Sequence, residues 1–129
     1  MDFKTDTKEK FTELGPDLEY LTANLAEDFA RTLLSYTEKE PKNVIVDLHR
    51  VTKMDPDLFQ VMAETQGYFN MNGISLVWCG IQPQVLMEIN KSDFADFLNI
   101  TPTLSEAWDI VQMEEIEREY LQGGDGDGV

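Results

Sequence analysis

Residues 43–62 read NVIVDLHRVTKMDPDLFQVM, and they carry the strongest structural signal in the chain. Three consecutive β-branched residues at 44–46 predict a strand that is buried on both faces, as in the middle of an α/β sheet. After a short polar segment, the triplet Asp55-Pro56-Asp57 predicts a helix start, with Asp55 at the N-cap and proline at the first helical position. The stretch therefore predicts a strand, a tight loop and a helix whose N-terminus lies at the rim of a sheet.

Hydrophobic periodicity predicts the other elements. Two weak strand signals precede the first helix, and a second buried strand is expected at 74–79. We expect the main helices at 22–36, 56–71 and 103–120. Because strands alternate with helices, the predicted fold class is α/β, with a mixed four- or five-stranded sheet and helices packed on it.

The C-terminal part of the sequence differs from the rest in composition. Residues 113–121 are mostly charged but keep a helical pattern, and the segment from 122 is rich in glycine and aspartate. Such a composition cannot bury enough apolar surface to fold by itself. We expect one domain at 1–112, a helical acidic extension at 113–121 and a flexible tail at 122–129.

Composition restricts the classes of function. The chain has 129 residues, 42% of them hydrophobic, and a formal net charge of −15. This charge disfavours nucleic acid and anionic membrane surfaces as partners, since both would repel it. No apolar run approaches the length of a membrane span, and the first residues lack the apolar core of a signal peptide. The expected location is the cytoplasm.

The sequence lacks the residue groupings that enzymes require. It contains one histidine, His49, in a polar loop, and one cysteine, Cys79, at the end of an apolar run. It has no glycine-rich phosphate loop, no Cys/His metal spacing and no nucleophile elbow. Asp55 and Asp57 form a carboxylate pair, but two acids at a helix start usually serve as a cap and a favourable contact with the helix dipole. We predict no catalytic residue, no metal site and no cofactor.

The central segment resembles the signature of the STAS domain family, the bacterial anti-sigma factor antagonists. Members of this family have a strand ending in Asp-Leu, a short loop, and an apolar residue followed by Asp-Ser-Ser-Gly-Leu at a helix start. In this chain Asp47-Leu48, Val51 and Met54-Asp55 match that pattern. Further matches are Gly73, Gly80 and the Pro-Thr-Leu-Ser-Glu-Ala start of the last helix.

The resemblance implies a single STAS-like domain that binds an anti-sigma factor, a serine-kinase-like protein, or another STAS protein. In the family, phosphorylation of a serine at the start of the second helix switches binding off, because it adds charge and bulk to the contact surface. The expected partner-binding segment here is the phosphoacceptor-equivalent loop and helix start, which comprises Asp55, Pro56, Asp57, Leu58 and Phe59. The residue that matches the phosphorylated serine is Asp57. It is either a permanent mimic of phosphate or the product of drift.

Two other functions remain open at this point. The chain is alternatively a structural STAS subunit of a transport or scaffold complex. The third hypothesis is that the chain is a receiver-like phosphoacceptor, with Asp47 as the phosphorylated aspartate. That chemistry needs acids after the first strand to hold magnesium, and Asp17 and Glu19 are poorly placed for this.

Overall fold

The computed structural model describes residues 1–127, with side chains described as far as Leu121. Within this part of the chain the strands are β1 (Phe3–Thr7), β2 (Phe11–Pro16), β3 (Tyr20–Leu21), β4 (Asn43–Asp47), β5 (Lys53–Met54), β6 (Leu76–Cys79) and β7 (Ile100–Thr101). The α-helices are α1 (Ala26–Ser35), α2 (Asp57–Met71), α3 (Pro83–Lys91) and α4 (Leu104–Asp127). Short 3-10 turns lie on both sides of α1 and before β7.

Five of the strands form a mixed sheet in the order β1-β2-β4-β6-β7. The β1–β2 pair is antiparallel, and the β2–β4, β4–β6 and β6–β7 pairs are parallel. Each parallel connection passes through a helix, as such connections require. The predicted α/β class and mixed sheet are confirmed. The remaining strands, β3 and β5, form a small parallel pair of their own, which the sequence pattern does not predict.

The central strand β4 explains why three β-branched residues stand in a row. Val44 and Val46 point to one face of the sheet and pack in the cluster formed with α1, α2 and α3. Ile45 points to the other face, where it packs with Ala107 and Val111 of α4. The β4 residues of this run are fully buried, as predicted. The domain thus has three layers: three helices, the sheet and α4.

Each face of the sheet contains one tryptophan. Trp78 of β6 is fully buried in the larger cluster and stacks on Phe29 of α1, with 6.2 Å between ring centroids. Trp108 of α4 is half-buried on the opposite face and packs edge-on against Phe11, with 5.3 Å between centroids. Its indole N–H donates to Oε1 of Glu13 at 3.0 Å.

A buried glutamine of α2, Gln66, connects that helix to the sheet. Its amide oxygen accepts the indole N–H of Trp78 at 2.8 Å and the backbone N–H of Asn99 at 3.1 Å, and its amide nitrogen donates to the carbonyl of Leu76 at 3.0 Å. Helical periodicity instead predicts that Tyr68 faces the core. Tyr68 is 44% exposed, and that expectation is wrong, because the buried stripe of α2 passes through Gln66 and Phe69.

The last helix is longer than its sequence predicts. It begins after Thr103, whose hydroxyl accepts the backbone N–H of Glu106 at 3.2 Å and so caps the helix, as the Thr-x-x-Glu spacing of a capping box predicts. It continues to Asp127, whereas the predicted helix ends at residue 120. The side chains from 122 and residues 128–129 lie outside the described residues, and the tail stays a prediction.

Candidate functional site

The segment between β4 and α2, residues 48–56, begins at the carboxyl end of β4 and crosses the edge of the sheet. We call it the signature loop. Leu48 and Val51 are buried, and they anchor the loop in the core while His49 and Arg50 are exposed. The backbone N–H groups of Thr52 and Lys53 both donate to the carbonyl of Glu19, at 2.7 and 3.1 Å. The loop is therefore fixed against the chain that leads into α1.

The start of α3 holds the same loop from the other side. The amide of Gln82 donates to the carbonyl of His49 at 2.7 Å, and the amide of Gln84 lies 3.4 Å from the carbonyl of Thr52. Pro83 begins this helix, in the first-turn position that suits a proline. Because the loop is bonded on both sides, it presents the start of α2 in a defined position.

Asp55 does not cap α2, which is a correction to the expected helix start. Its Oδ2 accepts the backbone N–H of Ala23 at 2.8 Å, and its Oδ1 accepts the hydroxyl of Tyr20 at 2.7 Å. Ala23 begins the 3-10 turn that leads into α1, and the residue before it, Thr22, supplies no side-chain cap. Asp55 therefore caps the first helical segment across the fold. The hydrogen bonds from Tyr20 and then Ala23 lower the pKa of its carboxyl.

Tyr20 and Lys53 complete the surroundings of Asp55. Tyr20 lies opposite Lys53 in the β3–β5 pair, and the Lys53 ammonium stands 4.6 Å from the centre of the tyrosine ring. The hydrogen bond to Asp55 raises the pKa of the Tyr20 hydroxyl, because ionisation would remove the proton that it donates; the negative charge of Asp55 acts in the same direction. Tyr20 lies outside the segment to which sequence reasoning restricts the site, and no local pattern connects it with Asp55.

The remaining predicted site residues divide into exposed and buried ones. Pro56 is the N-cap of α2, with helical backbone angles and no side-chain cap bond, and Asp57 is the first helical residue. Both are exposed. Leu58 and Phe59 are 0% and 3% exposed and belong to the larger core cluster, so they anchor α2 and have almost no surface to offer a partner.

Asp47, the candidate for receiver-like chemistry, is occupied by local contacts. Its Oδ1 accepts the backbone N–H of His49 at 3.0 Å and lies 3.1 Å from the Nδ1 atom of the same residue. Asp17 forms an ion pair with Arg50 at 2.9 Å. Within the described residues there is no group of three or more His, Cys, Asp or Glu side chains arranged to hold a metal ion.

Cys79 is the last residue of β6 and lies beside the carboxylate of Asp47. Burial, and then the charge of Asp47, raise the pKa of the thiol to about 12. Since the thiolate is the reactive form, Cys79 has the properties of a structural residue.

Comparisons with known proteins agree with this architecture. The STAS domain model matches residues 18–107, which is more than half of the chain. No curated protein matches the sequence. Among the described residues, no helix has both the length and the apolar character needed to cross a membrane.

Three similar solved structures show the same fold at low sequence identity. A putative anti-sigma factor antagonist from Thermotoga maritima is 18% identical, with 85% of this chain and 94% of that chain covered and a TM-score of 0.75. A serine-to-glutamate variant of RsbS from Moorella thermoacetica is 16% identical, with coverage of 92% and 99% and a TM-score of 0.70. The murine anion transporter Slc26a9 is 14% identical, with 84% of this chain but 18% of that chain covered and a TM-score of 0.67.

Proposed function

Because the chain belongs to the STAS domain family, we propose that it is a non-catalytic protein-interaction module that acts as an anti-sigma factor antagonist-like regulator of transcription in the cytoplasm. Its partner is an anti-sigma factor of the serine-kinase type or another STAS protein. In this proposal the partner contacts the start of α2, and Asp57 occupies the place of the usual phosphoacceptor serine.

The observation that carries the proposal is the exposure of Asp57 on a fixed platform. Asp57 opens α2 and is exposed, next to the exposed Pro56. The platform beneath it consists of the buried Leu58 and Phe59 and of the bonds of Asp55 to Tyr20 and Ala23. A contact surface that does not have to reorganise binds at lower entropic cost.

The chemistry of Asp57 implies constitutive regulation. A carboxylate has no hydroxyl to accept phosphate, and it holds a single negative charge where phosphoserine would hold about −1.5 to −2. Its state therefore does not change with the activity of a partner kinase. Asp57 either weakens binding permanently, as a mimic of phosphate, or has no effect on it.

A structural role in a transport or scaffold complex is the second candidate. The similarity to part of an anion transporter supports it, since the matched region is 18% of that protein. Under this alternative the chain is a stable subunit of its complex and regulates no sigma factor. Purification of the tagged protein under native conditions distinguishes the two functions by the identity of the stoichiometric partner.

Binding measurements with charge variants test the proposed contact. The partner in the assay is the anti-sigma factor or STAS protein that co-purifies with the tagged chain. We expect Asp57→Lys to change the dissociation constant about tenfold or more, because charge reversal inside an interface changes its electrostatic complementarity.

Glu38→Lys is the matched control. Glu38 is exposed in the 3-10 turn before β4, at the opposite end of that strand from the signature loop. The same charge change there is expected to leave the dissociation constant within about twofold, apart from long-range electrostatics that salt suppresses. Equal effects of the two variants would contradict the placement of the contact at α2.

A further inference from the structure

The second half of α4 has an exposed apolar face that the proposed function does not use. Four side chains remain largely exposed: Met113 at 55%, Ile116 at 64%, Tyr120 at 76% and Leu121 at 64%. At helical spacing, Met113, Ile116 and Tyr120 lie along one stripe, on the side of α4 away from the buried Ala107 and Val111. Leu121 follows Tyr120 at the edge of this stripe, and we call the four residues together the α4 stripe. It extends over about 12 Å of helix.

A polar clamp fixes this half of the helix to the domain. Arg118 donates to Oγ of Ser75 at 3.0 Å and to Oε1 of Glu115 at 2.7 Å, and Asn43 donates to the same Glu115 oxygen at 2.9 Å. The bonds from Arg118 and then Asn43 lower the pKa of Glu115. The expected helical extension is therefore bonded to the sheet through its inner side, and the orientation of the α4 stripe is defined.

A hollow borders the α4 stripe on one side. It has a volume of about 290 Å³ and lies between α4 and the turn after α2, with Gly73 and Ile74 among its lining residues. Glu117 and Leu121 of α4 also line it, so the hollow and the stripe form one continuous surface.

The charge of this surface selects the chemistry of its partner. Between residues 104 and 121 the sequence has six acidic residues and one basic residue, Arg118, which is paired with Glu115. Glu117 and Glu119 are exposed beside the α4 stripe. A second copy of the chain would bring like charges together, and an anionic membrane would be repelled in the same way. An apolar stripe flanked by carboxylates is complementary to an amphipathic helix flanked by lysine and arginine.

We propose that the α4 stripe and its acidic border form a second docking surface, for a basic amphipathic helix of a partner protein. The clamp binds Asn43, the first residue of β4, whereas the signature loop follows Asp47, the last one. The two surfaces are therefore separated by at least the length of the strand, about 13 Å or more. One protein molecule can hold two partners at once, and this inference is independent of the identity of the α2 partner.

A designed peptide tests the proposal with a defined probe. The probe is an 18-residue helix of leucine and lysine with leucine at positions that form one stripe, and its control is a scrambled peptide of the same composition. Calorimetric titration of the full chain is expected to show binding of the patterned peptide about tenfold tighter than that of the scrambled one. Equal affinities would mean that charge attraction alone is responsible and would overturn the proposal.

Variants locate the binding on the protein. The double variant Ile116→Ser/Tyr120→Ser is expected to weaken binding of the patterned peptide about tenfold, since truncated central apolar contacts dominate such losses. Met87→Ser is the matched control, because Met87 is 57% exposed on α3 and lies outside this surface. Thermal melts of both variants serve to check that they fold. Unchanged binding by the folded double variant would overturn the proposal.

Two further measurements distinguish other occupants. Sedimentation equilibrium of the wild type is expected to show a monomer that the double variant leaves unchanged. A dimer abolished by Ile116→Ser/Tyr120→Ser would show that a second copy covers the stripe. Flotation with phosphatidylserine vesicles is expected to show no binding. Binding that depends on Ile116 and Tyr120 would identify a lipid surface instead, and either result would overturn the proposal.

Discussion

The hydroxyl of Tyr20 donates a 2.7 Å hydrogen bond to Oδ1 of Asp55, across 35 positions of sequence. Through this bond the chain leading into α1 and the chain leading into α2 are held together at the site. The other oxygen of Asp55 accepts the N–H of Ala23, so one side chain serves both as a link between two segments and as a helix cap. Asp55 thus precedes α2 in the sequence but caps the helical segment that leads into α1.

Replacing Asp55 is expected to lower stability more than replacing Asp57. Asp55→Ala removes the cap of Ala23 and the partner of Tyr20, whereas Asp57→Ala removes an exposed carboxylate from a helix start that has no side-chain cap. The measurement is thermal unfolding at neutral pH. We expect Asp55→Ala to have a lower melting temperature than Asp57→Ala. Equal melting temperatures would contradict the cap assignment.

The same carboxyl predicts a pH dependence. Its folded-state pKa lies below the ordinary value of 3.8, so its stabilisation is fully present above that value and is lost as the pH falls through the folded-state pKa. Asp55→Ala is therefore expected to lose less stability on acidification than the wild type. Tyr20→Phe removes the largest cause of the shift, and carboxyl titration by NMR is expected to show the pKa of Asp55 closer to 3.8.

Gln66→Leu is expected to destabilise the protein strongly. The substitution leaves the buried indole N–H of Trp78, the buried carbonyl of Leu76 and the partly buried N–H of Asn99 without this partner. Each buried polar group left unpaired costs about 1–3 kcal/mol. Urea unfolding should show a loss of about 3 kcal/mol or more. Gln60→Leu, at an exposed position of the same helix, is the control and should change the free energy of unfolding by less than about 0.5 kcal/mol.

Two glycines are expected to respond to alanine with opposite signs. Gly80 has a φ of 68°, and a Cβ there would collide with the Asp47 carboxylate, so Gly80→Ala should cost about 1–2 kcal/mol for the backbone conformation alone. Gly67 lies inside α2, where a Cβ meets nothing within 4 Å, and Gly67→Ala should stabilise by about 0.5–1 kcal/mol. Denaturant titration of both variants checks the signs, and stabilisation by Gly80→Ala would contradict the account of the Asp47 contact.

The wild type is expected to remain unphosphorylated at residues 55–60 when it is mixed with its partner kinase and ATP. Asp57 lacks a hydroxyl, and residues 55–60 contain no serine, threonine or tyrosine. Pro56→Ser/Asp57→Ser restores the family pattern and is expected to create an acceptor, which mass spectrometry would detect. Phosphate found within 55–60 of the wild type would contradict the proposal. If neither protein is modified and both bind equally, the charge of Asp57 does not govern binding.

Local patterns predict the core of this fold because they report burial directly. The residues at 44–46 point alternately to two covered faces, so all three must be apolar, and the sequence shows it. The cap at Thr103 is equally local, since its partner Glu106 is three residues away. The family signature follows from the same segment, which holds the central strand and the loop after it.

The features that escape prediction depend on distant residues. Asp55 fits a local helix cap, and only the folded chain brings Tyr20 and Ala23 within reach of its oxygens. β3 and β5 have two residues each, too few for any periodicity. Gln66 reads as a surface residue until its bonds to Trp78 and Asn99 are known. The contact role of the helix start stays a prediction.

The two tryptophans, one on each face of the sheet, give the protein two separate optical reporters. Trp78 lies fully buried against Phe29, whereas Trp108 is half-buried beside the carboxylate of Glu13 and has the Lys8 ammonium 5.6 Å from its ring. An indole in a dry environment fluoresces at shorter wavelength than one near water and charge. Detachment of α4 would therefore change the long-wavelength emission, which comes from Trp108. The short-wavelength emission, from Trp78, would report unfolding of the face covered by α1, α2 and α3.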